Sequence, residues 1–150
     1  MTRVCLVGAP EVDLTYELLS RETARDALAT YDIREPFANS VAVDTVSLGT
    51  AVALLNDLNW YLVRFVDEAL VMEPSVSERE WLSRDLAREV RDGKVPPEET
   101  DQRLKVFGRV EGELVEPMFV RRTQGLVPEY DLREVDDTVV VRVSESEFGG

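Results

Sequence analysis

Histidine is missing from all 150 residues, and cysteine occurs once, at Cys5. Histidine is the commonest general base and metal ligand, so Ser-His-Asp catalysis, Cys-His catalysis and the usual zinc sites are excluded. A single cysteine excludes an internal disulfide and any cysteine-cluster metal site. The glycines form neither a G-x-x-x-x-G-K-[ST] loop nor a G-x-G-x-x-G fingerprint. Long apolar runs are missing too. Ala51–Leu55 and Trp60–Val63 fall far short of the ~20 residues that span a bilayer. The N-terminal MTRVCLVGAPEVD has too short an apolar run for a signal peptide and soon meets Glu11 and Asp13. A cytoplasmic location without membrane association is therefore expected.

Lysine is nearly absent as well. Lys94 and Lys105 are the only two; the other cations are arginines, and 30 acidic residues against 17 basic ones give a formal charge of −13. In dilute salt such a charge costs stability through self-repulsion. In molar salt the Debye length falls to about 3 Å and the repulsion is screened. Arginine is more weakly hydrated than lysine and makes forked contacts with carboxylates. Acidity combined with lysine depletion resembles the cytoplasmic proteins of salt-in halophilic archaea, and the acidity then reflects the environment. With no basic stripe, nucleic acid is not an expected partner.

What is present is a globular composition, 44% hydrophobic, long enough for one domain with its own core. Arg3–Gly8 reads as a buried strand ending in a Gly-Ala-Pro turn. Leu14, Tyr16 and Leu18 suit a second strand or a helix entry. Ser20 as N-cap predicts a helix over 21–31, and Val41–Val46 alternates as a strand. Ser47 caps a helix to about residue 58. Past Asn56 the helical spacing continues through Leu62 and Phe65. Asn56, Asp57 and Asn59 are nevertheless poor helix residues, and WYLVRFV is aromatic and β-branched. The favoured reading is a strand over 60–66, a turn at Asp67-Glu68 and a strand over 69–73. One long helix over 47–73 would expose apolar residues on several faces and demand a partner, most simply a second copy.

Ser77 and Glu80 form a capping-box pattern ahead of a helix that Gly93 would stop. Pro97 opens a short helical turn. Strands over 103–110 and 113–120 flank the hairpin signal Glu111-Gly112, with Pro117 marking an edge or bulge. Residues 123–137 read as loop, 138–143 as a strand, and 145–150 as a frayed tail. The fold class is thus α/β or α+β: a single domain with about three helices packed on a mixed sheet, its C-terminal part antiparallel. The early strand–helix order also permits parallel pairing.

The residues left for function are few. Gly8 follows the first strand, where open α/β sheets bind ligands. Asp44 with Asp57, Asp67 and Glu68 could form a carboxylate–magnesium site, although so acidic a chain clusters carboxylates by chance. Arg121-Arg122 could hold a phosphate or a partner's carboxylate, or pair with the chain's own acids. Trp60 and Tyr61 could anchor a partner; on a strand one would be core and the other half-exposed. Cys5 reads as an inert buried residue. No catalytic residue, metal ligand or cofactor is assigned. The expected function is a non-enzymatic regulatory or accessory protein acting through protein–protein contact in a high-salt cytoplasm. The alternative is a small-ligand or nucleotide-binding protein with a carboxylate–magnesium site.

The blocks RVCLVGAPEVD, YDIREPFANSVA, LLNDLNWYLVRFVDEALV and SEREWLSRDLA resemble an uncharacterised conserved family of halophilic archaea, over roughly the first two-thirds of the chain. That resemblance implies an origin and no activity. The terminal Gly149-Gly150 resembles the ending of archaeal ubiquitin-like modifiers over two residues only. Those modifiers are much shorter, and the ending is read as chance.

Overall fold

A computed structural model describes residues 1–149. The chain is α+β, with one seven-stranded sheet and six α-helices among the described residues. Strand β1 (Thr2–Gly8) pairs antiparallel with β2 (Ser40–Thr45) on one side and β3 (Val66–Met72) on the other. Beyond β3 come β4 (Trp81–Ser83), β7 (Asp137–Arg142), β5 (Arg103–Val110) and β6 (Glu113–Arg121). All neighbours are antiparallel except β4 and β7. The parallel pairing allowed by the early element order does not occur there, because β1, β2 and β3 alternate in direction.

Strand alternation divides the core between two faces. Val4, Leu6, Val41, Val43, Val71 and Leu82 belong to the core that the helices cover. These helices are α1 (Leu14–Leu19), α2 (Glu22–Leu28), α3 (Leu48–Asp57), α4 (Asn59–Phe65) and α5 (Arg84–Arg91). Cys5, Ala42, Leu70, Trp81, Phe107, Val139 and Val141 belong to a second core, together with Phe37. No layer of long helices covers this second face. The sheet instead curls back on itself, so that the β5–β6 hairpin meets the segment before β2. There Ala38 N donates to Gly112 O at 2.8 Å, and Arg109 Nη2 donates to Pro36 O at 3.2 Å.

Local signals worked where their partners lie close in sequence. Ser47 caps α3 by accepting from Thr50 N at 3.1 Å. Gly93, at φ +74°, closes α5 with Gly93 N to Val90 O and Lys94 N to Glu89 O, a Schellman arrangement. Glu111 and Gly112 both have positive φ, as a two-residue hairpin turn of the right twist requires. Between Val106 and Gly108 the register slips by one residue, placing Glu116-Pro117 as a bulge on the outer strand. Tyr130 Oη donates to Glu116 O at 2.8 Å, so the 123–136 loop covers part of that edge.

Several expectations are corrected. Residues 60–66 are helical up to Phe65, and Asp67-Glu68 lies inside β3 instead of in a turn. Leu58 departs from helical geometry, so the segment is two helices and a strand, neither one long helix nor a helix with a hairpin. The buried side chains Leu58, Tyr61 and Leu62 follow helical spacing, and that periodicity outweighs the strand preference of WYLVRFV. The helix expected from Ser77 begins only after Ser83. Ser77 Oγ does accept from Glu80 N at 3.0 Å, but it caps a turn. Trp81-Leu82 extends to pair with both β3 and β7, and Ser83 caps α5 through Leu86 N at 3.1 Å. Among the described residues the α-helices therefore number six, against about three expected, because the helical segments are short and broken.

Where a frayed tail is expected, residues Glu145–Gly149 form a sixth helix, α6, while Gly150 lies outside the described residues. Ser144 and Glu147 make a reciprocal capping box: Glu147 N donates to Ser144 Oγ at 3.3 Å, and Ser144 N donates to Glu147 Oε2 at 2.7 Å. Ser83 Oγ also donates to Glu147 Oε2, at 2.7 Å, and Phe148 packs edge-on to Phe119.

Candidate functional site

Where the curled sheet closes on itself it leaves a cleft of about 510 Å³. One wall is the end of β1 with Asn39 and the start of β3. The other is the β5–β6 hairpin. Its size falls in the range of small-molecule sites, roughly 300–1,000 Å³.

Asn39 builds the first wall. Its backbone has φ 53°, which asparagine tolerates, and its side chain ties three groups together. Nδ2 donates to Ala9 O at 3.0 Å and to Val12 O at 2.9 Å, while Oδ1 accepts from Leu14 N at 2.9 Å. The loop after β1 and the start of α1 are thereby held against β2. Gly8 lines the cleft, but its missing side chain is demanded by this tie. A Cβ there would stand 2.6 Å from Asn39 Nδ2 and 2.9 Å from Leu14 Cβ.

Lys105 and Glu68 join the two walls. Lys105 Nζ donates to Glu68 Oε1, from β5 to β3, with both side chains about four-fifths buried (22% and 21% exposed). Burial pushes the Glu68 carboxyl above the usual glutamate value; the hydrogen bond and charge of Lys105 oppose this without cancelling it, and Glu147 and Asp67 add to the rise. The Lys105 ammonium lies 5.0 Å from the Phe107 ring centroid and 5.7 Å from that of Phe119. Pro10, Leu114 and Pro117 supply apolar lining, and Asp67 and Glu113 add carboxylates. This arrangement offers ionic and apolar contacts. Cys5 is buried, its thiol pushed up to about 12 by burial.

The residues singled out from sequence do not converge. Gly8 is in the cleft. Asp44 accepts from Arg3 Nε at 2.9 Å and lies 3.9 Å from Arg34, and the Arg3 hydrogen bond chiefly holds its carboxyl below the usual value. Arg121 stacks over Phe148, 5.2 Å from its centroid. Arg122 is committed to Glu80, with Nη2 at 2.5 and 2.6 Å from its two carboxylate oxygens. Arg142 shares the same carboxylate at 2.8 Å. Of the carboxylates considered for magnesium, Asp67 and Glu68 reach the cleft, Asp44 is paired elsewhere, and Asp57 ends α3. No group of three or more Cys, Asp or Glu side chains fit to hold a metal ion occurs among the described residues.

Trp60 is 46% exposed and Tyr61 buried, because a helix turns them to different sides. Arg64 lies over the Trp60 ring at 3.9 Å and Arg21 at 5.5 Å, and Val63 beside it is 73% exposed. Lys105 and Glu68 are the site residues that sequence reading missed as a pair. One signal was available: a scarce lysine in a strand between Leu104 and Val106-Phe107.

A family model described as "Family of unknown function (DUF5804)" matches residues 2–109. The matched span runs from β1 almost to the end of β5. It includes Gly8, Asn39, Glu68 and Lys105, while Glu113, Leu114 and Pro117 lie beyond it. No curated protein and no solved structure matches the chain. Among the described residues, no helix is long and apolar enough to cross a membrane.

Proposed function

The chain belongs to this family of unknown function, and from its geometry we propose a non-enzymatic binding protein whose cleft receives a small organic ligand. The observation that carries this reading is the cleft itself, spanned by the Lys105–Glu68 pair and lined by Phe107 and Leu114. Apolar walls with a few convergent charged groups are the usual make-up of a ligand site. Amide chemical-shift mapping during titration with small-molecule mixtures tests it. Shifts should cluster at Gly8, Asn39, Glu68, Lys105, Phe107 and Leu114. Binding that maps only to other surfaces would sink the reading.

A second reading, the protein-contact role expected from sequence, is favoured by one observation. Trp60 and Val63 stand exposed together on the outer side of α4, with the Arg64 guanidinium 3.9 Å from the indole centroid. Exposed tryptophan and arginine are common anchors of interfaces. The net charge of −13 and the paucity of lysine support a salt-rich cytoplasm of a halophilic archaeon as the working environment of either role.

A further inference from the structure

We propose that the cleft is selective for a primary ammonium carried on an apolar body, an amphipathic amine, and this rests on the cleft-binding reading above. Three carboxylates, Asp67, Glu68 and Glu113, face or rim the cleft against one cation, Lys105, which is already given to Glu68. An incoming cation therefore relieves an excess of negative charge, and an incoming anion adds to it.

The apolar part of the cleft fits the same class. The Phe107 ring, which lines the cleft, lies 5.0 Å from the Lys105 ammonium. An aromatic ring that faces one ammonium offers its quadrupole to a second brought alongside. Leu114 and Pro117 line the outer wall and would cover a hydrocarbon body. The bound amine would donate to Glu68 beside Lys105, or in its place. Burial raises the free-energy cost of an ionised Glu68, and a second cation offsets it. A divalent metal fits less well, because no group of three or more carboxylates placed to hold one occurs among the described residues.

The test uses three probes with one apolar body: phenethylammonium, 2-phenylethanol and 3-phenylpropionate. Each is titrated into the full chain by amide chemical-shift mapping, at one KCl concentration that keeps the protein folded. Phenethylammonium should bind about tenfold or more tighter than the alcohol, with the carboxylate weakest, the margin of a charge-assisted hydrogen bond. Glu68→Gln should remove most of that advantage and leave the alcohol unchanged. Glu113→Gln, on the exposed rim, provides the same comparison if Glu68→Gln does not fold, with a smaller loss expected. Equal or tighter binding of the alcohol or the carboxylate in the cleft overturns the ammonium assignment and leaves the binding reading standing. No cleft shifts with any probe at millimolar concentration overturns both.

Discussion

Glu80→Gln should destabilise the fold by about 3 kcal/mol, at the lower end of what removing one partner from a buried ion pair costs. Glu80 sits between two arginines, Arg122 from the end of β6 and Arg142 from β7, with side-chain exposures of 15%, 14% and 12%. Each guanidinium has one other tie: Arg122 Nε to Asp101 O at 2.9 Å, and Arg142 Nη1 to Thr100 Oγ1 at 2.9 Å. Those ties keep the arginines in place, so the amide variant leaves two largely buried cations facing a neutral group. The general charge effect has the opposite sign. Removing a carboxylate from a −13 chain lowers self-repulsion and should stabilise it slightly. A loss of stability therefore reports on the triad. Urea unfolding followed by circular dichroism measures it, with Glu78→Gln as a control expected within about 0.5 kcal/mol of wild type. The corresponding fall in Tm is roughly 10 °C for a domain of this size.

The pH dependence follows from the same residues. Burial pushes the Glu80 carboxyl up, but the hydrogen bonds and charges of Arg122 and Arg142 outweigh it and hold the group below its ordinary value of 4.5. Its stabilisation is fully present above that unfolded-state value and is lost as pH falls through the lower folded one. The gap between wild type and Glu80→Gln should therefore narrow on acidification below pH 4.5. A loss under 1 kcal/mol at neutral pH, or a gap that widens in acid, would refute the reasoning.

Asn39→Asp keeps an acceptor for Leu14 N but cannot donate to Ala9 O and Val12 O, so it should cost about 2 kcal/mol or more. Hydrogen exchange should then speed up at the start of α1 and in residues 9–12 before it changes in β5. Unchanged protection there would mean that Asn39 does not hold this wall of the cleft. If the acidity is a salt adaptation, Tm should rise steeply from 0.1 M to about 3 M KCl, as screening removes repulsion. A flat profile counts against that origin. Val63→Asp, at a position 73% exposed, should leave stability within about 0.5 kcal/mol and abolish any self-association through α4. Sedimentation velocity decides it: a wild-type chain that stays monomeric at high concentration removes a second copy as the partner of that face.

Much of the candidate site was hidden for one reason. Lys105 and Glu68 lie 37 residues apart, and Arg122 and Glu80 lie 42 apart. Which acid an arginine or lysine meets depends on how far the sheet curls, and no local pattern carries that information. Arg121-Arg122 therefore looked like an adjacent pair available to a ligand, while the fold sends one to an aromatic ring and the other to Glu80. Gly8 lines the cleft, and its lack of a side chain is required by Asn39 and Leu14. The Ser144–Glu147 capping box has its pattern in SESE, at a terminal position where fraying is the usual expectation.

By itself the sequence determined what acts over three or four residues and what composition forbids. Ser47 begins a helix, Gly93 ends one, Glu111-Gly112 turns a hairpin, and Pro117 bends its outer strand. The lack of histidine excludes Ser-His-Asp and Cys-His catalysis, and the lone Cys5 excludes an internal disulfide. Only the tertiary structure decided that Trp81–Ser83 is a strand and that residues 59–65 are a helix. A strand is stable only beside a partner, and β4 has one on each side, whereas the helical residues 59–65 pair with no strand. Wound as a helix, the segment puts Tyr61 and Leu62 on one buried face with Leu58.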